Sequence, residues 1–321
     1  MSTAVCAIAN DGKNAMMGAR LQVARGGWQA MILCFDIGGS RIKAGLADAD
    51  GVRPLGAVPT AVDDLDGFVA GLARFMQPGV RGVAISIAGV VEPETGIGRV
   101  ANIRCIDGLA LAPLLEARLG VRVIVLNDAD CFALAEARQG AGRGHGTVFG
   151  VILGTGVGGG LVIDGRLVTG AGGYAGEWGH GPVIRGEFAF PCGCGQVGCI
   201  DTVGGARGLE RLWRASGGEP LGSVEILARW QAGDADAAPV VDLWEELVSG
   251  PLAMVLNVTG AGIVPVGGGL ANVPALIARL DTAVRARVLR RTERPLVVLA
   301  ECTVEPGLIG AAEAGLVEFE H

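Results

Sequence analysis

The chain has 321 residues, half of them apolar, enough for one large or two medium domains around a sizeable core. Its 33 acidic side chains outnumber 26 basic ones and leave a net charge of −7, with no basic block, which argues against nucleic acid or an anionic membrane as partner. No apolar run approaches the ~20 residues of a membrane span, the first residues lack a signal peptide's basic region, and a cytoplasmic, reducing location is expected.

In chain order, residues 1–30 show no sustained period. They are expected to be either a disordered extension, with one helical stretch near 16–26, or chain preceding a true start at Met31. From Met31 the pattern reads strand (ILCFD), turn (IGGS), strand (IKAGLAD), then a D-A-D-G hairpin turn at 48–51. A helix follows over 65–76, a buried strand over 82–89, a helix over 109–120 closed by Gly120, a strand over 121–126, and a helix carrying ALAEAR. The grammar then restarts: strand 147–153, glycine turn GTGVGGG, strand hairpin LVIDGRLV, and helices at 206–215, 223–231 and 239–258. Strand 262–268 meets more glycines, and helix 272–289, strand 295–300 and helix 308–316 close the chain. The densest basic group, RARVLRRTER at 285–294, reads as the solvated face of a helix. Two successive hairpin-plus-αβ units predict an α/β protein of two related lobes with a cleft between them.

Two glycine turns share a design, FDIGGSRIKAG at 35–45 and LGTGVGGGLVI at 153–163, and a third glycine cluster lies at 267–269. Such turns let backbone N–H groups converge into an anion nest, and Ser40 and Thr155 add hydroxyls. Gly154, Gly156 and Gly159 match G-x-G-x-x-G. A dinucleotide fold needs a helix directly afterwards, and here a strand follows. A Walker A loop is absent. Asp36 and Asp128 each end a strand, where α/β sheets place ligands. One carboxylate beside a phosphate nest suits a hydrated Mg²⁺, and a second can take the proton from an attacking hydroxyl. Asp128 is also a candidate helix N-cap, and Asn127 beside it could orient an acceptor. These are the parts that phosphoryl transfer requires.

Eight cysteines in a reducing compartment read as free thiols or metal ligands. Cys6, Cys34, Cys105, Cys131 and Cys302 stand alone and are expected in the core. Cys192, Cys194 and Cys199, with His180 twelve residues before the first, can complete a closed tetrahedral Zn²⁺ site, which is structural and not catalytic. Zinc would hold a rigid loop over 180–199 and fix Glu177, His180 and Asp201 around a polyol.

These stretches resemble the ROK family of repressors and sugar kinases. FDIGGSRIKAG is similar to its first phosphate motif, LGTGVGGGLVIDGRLVTGAGGYAGEWGHGPV to its signature, CGCGQVGCID to its zinc motif and LNDAD to its catalytic-base motif. The resemblance covers roughly residues 31–316 and implies the actin-like ATPase fold, a duplicated ribonuclease H-like α/β architecture. It implies a small lobe over 31–126, completed by about 303–321, and a large lobe over 127–302 holding the zinc loop. It implies Asp128 as catalytic base, with sugar contacts from Gly89, Asn102, Asn127, Asp128, Glu177, His180 and Asp201. ATP would meet Asp36, Gly38, Gly39, Ser40, Gly154, Thr155, Gly156, Gly267, Gly268 and Gly269, and Zn²⁺ would meet His180, Cys192, Cys194 and Cys199. Asp201 stands where the family usually has Glu, and Ser40-Arg41 where it has Thr-Lys. Residues 1–30 are too short for the winged helix domain of the repressors. A non-catalytic sugar sensor would not need Asp128 and both phosphate loops. The expected reaction is transfer from ATP·Mg²⁺ to the 6-hydroxyl of a sugar, N-acetylglucosamine before N-acetylmannosamine or glucose, by a dimer or tetramer.

Overall fold

Strand β1 (Met31–Ile37) opens the first sheet and turns directly into antiparallel β2 (Arg41–Asp48), with Asp36 opposite Lys43. The computed structural model to which these elements belong describes residues 31–48 and 51–319. The expectations for residues 1–30, Cys6 included, and for the centre of the D-A-D-G turn lie outside the described residues. Strand β3 (Gly51–Pro59) was not foreseen, because Pro54 reads as a strand breaker. It is tolerated because β3 is the edge strand of this sheet, and a bulge between Ala44 and Gly45 adjusts the pairing. Helix α1 (Leu65–Ala73) follows, shorter than expected, then β4 (Val80–Ile87), parallel to β1. The short pair β5 (Val90–Val91) and β6 (Gly98–Arg99) precedes α2 (Leu111–Leu119), which ends at a left-handed Gly120 with φ 73°. Strand β7 (Arg122–Asn127) completes the order β3-β2-β1-β4-β7.

Helix α3 (Asp128–Arg138) leads to the second sheet. That sheet is built from β8 (Thr147–Leu153), β9 (Val157–Ile163), β10 (Arg166–Val168), β11 (Val264–Gly267) and β12 (Val297–Leu299), in the order β10-β9-β8-β11-β12. Both sheets thus place an antiparallel run of three strands beside parallel neighbours, the duplicated two-lobed α/β plan that the sequence implied. The expected turn GTGVGGG is shorter than predicted: only 154–156 turn, and Val157–Gly160 already pair with β8. The glycines of that strand have a packing reason, since a Cβ on Gly160 would strike the Ala133 Cβ of α3, which lies flat on the sheet.

The outer face of the second sheet is covered by α4 (Asp201–Gly204), α5 (Ala206–Ala215), α6 (Ser223–Gln231), α7 (Ala237–Thr259) and α8 (Pro274–Arg287). Their core includes Leu209, Leu212, Val241, Trp244 and Leu280, each fully buried. Helix α8 stops at Arg287, so the basic group 285–294 is helical only in its first three residues; Val288 turns extended and is buried.

The last helix, α9 (Pro306–Glu318), returns to the first sheet, where Leu308, Ala312 and Leu316 pack on Ile32, Cys34 and Ala84. Helices α3 and α9 touch each other, α3 lying on β8 and β9 and α9 on β1 and β4, so the pair is sandwiched between the sheets. Glu136 of α3 is fully buried and its carboxylate accepts from the N–H groups of Ala141, Glu301 and Cys302 at 2.9, 3.2 and 2.6 Å. It thereby ties α3 to the segment that follows β12. Cys34 and Cys131 are buried as expected, but Cys105 and Cys302 are only half-buried. Cys105 lies in a 3₁₀ turn (Arg104–Ile106) and packs against the core of the first sheet, and Cys302 lies in the irregular segment after β12. Among the described residues, no helix is long and apolar enough to cross a membrane.

Candidate active site

Between the sheets lies a cavity of about 700 Å³. Its walls include Asp36 at the end of β1, Asp128 at the start of α3, Gly267 and Gly268 after β11, Asn272, and Thr303 to Gly307 leading into α9. The strand ends of both sheets thus face one opening, as α/β sheets place their ligand sites. Gly268 has φ 89°, and a Cβ there would meet the Leu153 carbonyl at 2.5 Å, so only glycine lets the third glycine cluster approach the second. Gly269 opens a short 3₁₀ turn (Gly269–Asn272); like Gly38, Gly39, Ser40, Gly154, Thr155 and Gly156, it is not among the residues of the cavity wall.

The first glycine turn is buttressed from β3. Thr60 Oγ1 donates to the Gly38 carbonyl at 2.7 Å, and Thr60 N–H to the Ser40 carbonyl at 3.2 Å. Gly39 approaches Asn102, with 3.2 Å between a Cβ built on Gly39 and the Asn102 Cβ. A residue expected on the phosphate side therefore meets one expected on the sugar side. In the second turn, the Gly154 and Thr155 carbonyls accept from Ala206 and Arg207 N–H at 2.8 and 3.2 Å, which docks the turn on the start of α5.

Asp36 is aligned by its neighbours across the sheet. Ser86 Oγ donates to its Oδ1 at 3.2 Å, and Lys43 Nζ lies 3.6 Å from its Oδ2. Burial still pushes the Asp36 carboxyl above the usual range. Asp128 is raised to about 6, first by burial and then by the negative charges of Asp36 and Glu177. The helix cap is not Asp128. Asn127 Oδ1 accepts from Ala129 and Asp130 N–H at 2.7 and 3.2 Å, while Asn127 Nδ2 donates to the Gly89 carbonyl at 2.8 Å. Those bonds use the amide oxygen and leave one N–H for a ligand. Asp128 keeps Oδ2 out of the cap and faces the cavity.

Asp130, two residues into α3, was not singled out in the sequence. It is 6% exposed, and burial with the charges of Glu177 and Asp128 pushes its carboxyl up to about 8. At neutral pH it is largely protonated, which limits the charge that gathers around Asp128.

Beyond Asp128, Glu177 is raised by burial, and its Oε2 lies 3.8 Å from His180 Nε2. The other imidazole nitrogen, Nδ1, lies 3.6 Å from Cys192 Sγ. One histidine can therefore face a metal with one nitrogen and the pocket with the other. Cys194 Sγ lies 3.6 Å from Cys199 Sγ, and the four ligand atoms of His180, Cys192, Cys194 and Cys199 fall within 4.8 Å of one another. Tetrahedral zinc with bonds of about 2.3 Å to sulfur separates its ligands by about 3.8 Å, so the arrangement fits the ion. The thiol chemistry fits as well. The Gln196 N–H draws Cys194 down to about 7, whereas burial pushes Cys192 up to about 12, so a cation beside Cys192 is what would let it join Cys194 as a thiolate.

Asp201, expected to touch the sugar, is engaged elsewhere. Its Oδ1 accepts from Val157 N–H at 2.8 Å, directly after the second glycine turn, and its Oδ2 is 3.8 Å from Cys192 Sγ. The side chain links the cysteine loop to that turn.

The sequence pattern of the ROK family matches residues 32–316. N-acetyl-D-glucosamine kinase of Pasteurella multocida is 39% identical over 239 residues, 72% of this chain and 79% of that protein. The enzyme of the same description from Escherichia fergusonii is 36% identical over 295 residues, 87% of this chain and 97% of that protein. Among solved structures, a ROK hexokinase from Thermus thermophilus superposes with a TM-score of 0.81 at 29% identity, covering 90% of this chain and 99% of that one. A ROK family glucokinase from Streptomyces griseus, in complex with glucose and AMPPNP, does so with 0.69 at 28% identity, covering 89% and 99%.

Proposed function

This chain belongs to the ROK family, and from that premise we propose that it is an ATP-dependent kinase of hexoses or N-acetylhexosamines that phosphorylates the 6-hydroxyl of N-acetylglucosamine. The observation that carries the reading is the position of Asp128, in the wall of the cavity it shares with Asp36, Gly267 and Gly268 and close enough to Glu177 to feel its charge. A carboxyl titrating near 6 is mostly ionised at neutral pH yet basic enough to accept a proton from a hydroxyl. The kinase descriptions of the relatives support the same chemistry.

In this mechanism ATP occupies the 700 Å³ cavity with its phosphates toward Asp36 and the first two glycine turns. Asp36, with water, would hold Mg²⁺, which would supply neutralising charge on the phosphates. The sugar lies over Gly89, Asn102, Asn127, Glu177 and His180, with Asp201 bracing the turn beneath. Asp128 takes the proton of the 6-hydroxyl as its oxygen bonds to the γ-phosphorus and the bond to the β,γ-bridging oxygen breaks. Asn127 holds the start of α3 so that Asp128 points at that hydroxyl. Zn²⁺ held by His180, Cys192, Cys194 and Cys199 would lock the loop and set the His180 ring, leaving Nε2 for the sugar. The small lobe would comprise 31–126 with the final helix, and the large lobe 127–302. A cytoplasmic location, as expected from the sequence, and a homo-oligomer, supported by the family resemblance alone, complete the proposal.

The position and substrate are tested by NMR of the product formed from N-acetylglucosamine, N-acetylmannosamine and glucose. Phosphorus coupled to the C6 protons of N-acetylglucosamine, formed fastest of the three, is expected. A phosphate on another carbon, or faster conversion of another sugar, overturns that part of the proposal.

A further inference from the structure

The hairpin register puts Lys43 of β2 opposite Asp36 of β1, so both side chains leave the same face of the sheet. That face lines the cavity. Lys43 Nζ lies 2.9 Å from Glu305 Oε2 and 3.6 Å from Asp36 Oδ2. Lys43 is the only cationic side chain in the cavity wall, among the described residues, whereas Asp36, Asp128 and Glu305 all contribute acids. A nucleoside triphosphate carries its own net negative charge into this acidic setting even with Mg²⁺ bound, so the wall needs a cation that can reach it. Arg41, one alternate position nearer the turn, is exposed and forms no part of the wall.

Glu305 is built for a specific position. It adopts φ 49° and ψ 49°, left-handed backbone that a non-glycine residue takes at a cost, immediately before Pro306 begins α9. From there its carboxylate meets Lys43, joining the last helix to the first hairpin. A lysine ammonium on a four-carbon stem can swing from this pair to a phosphate, for which it acts as a mobile point charge.

We propose that Lys43 binds the terminal phosphates of ATP, held ready by Glu305 while the cavity is empty and exchanged from that carboxylate to the nucleotide when it fills. The inference rests on the kinase reading for the identity of the nucleotide.

The test is calorimetric titration of ATP·Mg²⁺ into the full chain and its Lys43→Met, Lys43→Arg, Arg81→Met and Glu305→Gln variants, with thermal unfolding of each to verify folding; Arg81, exposed at the start of β4, lies outside the cavity wall. Losing a hydrogen bond to a charged phosphate predicts about ten- to hundredfold weaker binding for Lys43→Met. Lys43→Arg should recover part of it, Arg81→Met should stay within twofold of the parent, and the Michaelis constant for the sugar should not move in Lys43→Met. Glu305→Gln, which frees the ammonium, should bind ATP as tightly as the parent or more tightly. Parental affinity in a folded Lys43→Met, or an equal loss in Arg81→Met, overturns the assignment; weaker binding in a folded Glu305→Gln overturns the exchange. Because the titration needs no turnover, a parent that binds ATP but phosphorylates no sugar refutes the kinase reading and leaves this inference standing.

Discussion

Replacing Asp128 by Asn should remove turnover and, at the same time, stabilise the ligand-free protein. The folded site raises this carboxyl from 3.8 to about 6. Each pKa unit corresponds to 1.36 kcal/mol, so keeping Asp128 ionised costs the folded state about 3 kcal/mol. The sign follows from proton counting. Between about pH 4 and pH 6 the folded chain keeps a proton that the unfolded chain has lost, so stability falls as pH rises through that window and stays lowered above it. Below pH 4 both states are protonated and the penalty disappears. Asn carries no charge and escapes the penalty, but its amide is still desolvated, which leaves a gain of about 1–3 kcal/mol at pH 7. Urea unfolding of parent and variant at pH 7 and pH 4, without nucleotide or sugar, should show a gap at the higher pH that closes at the lower. The same substitution should cut the turnover number by about 10²- to 10⁴-fold, the usual worth of a general base, with sugar binding largely kept. Equal stabilities at pH 7, or turnover within tenfold of the parent, would refute the assignment of Asp128 as a buried base.

The same carboxyl predicts that kcat/KM for the sugar falls about tenfold per pH unit below about pH 6; a profile flat down to pH 5 contradicts it. Cys194→Ala should lower the zinc content of the purified protein and weaken sugar binding together, and a variant retaining its full zinc content sinks the ligand assignment. Glu136→Ala strands three backbone N–H groups at the join between α3 and the segment after β12, so it should cost about 3 kcal/mol or more in urea unfolding. A loss under 1 kcal/mol would mean that water or a shift of the backbone replaces the carboxylate there.

The period of apolar residues was enough to locate β1, β4, α3 and the paired strands of the second sheet, because each buries one face or both. It could not reveal β3, whose proline is harmless only at a sheet edge, and edge position is a property of the whole sheet. Spacing brought His180 and the three cysteines to attention, and the structure gathers them; which imidazole nitrogen faces which partner follows from the fold of the loop. Asn127 and Asp128 both suit the helix cap; the sequence offers Asp128 as a candidate, and the structure gives the cap to Asn127. Asp130 is unremarkable in sequence and becomes a perturbed acid only through burial beside Glu177. Lys43 could have been found: a turn centred on 38–41 pairs position 36 with position 43, so the hairpin register alone predicts the Asp36–Lys43 contact. Its second partner, Glu305, comes from 262 residues away and depends on how α9 returns to the first sheet.

The central claim is tested most directly by ADP release from the purified full chain with ATP·Mg²⁺, measured with N-acetylglucosamine, N-acetylmannosamine, glucose and no sugar. The account predicts release that depends on sugar and is greatest with N-acetylglucosamine. Release no greater with any of the three sugars than without, from folded protein that retains zinc, would contradict it.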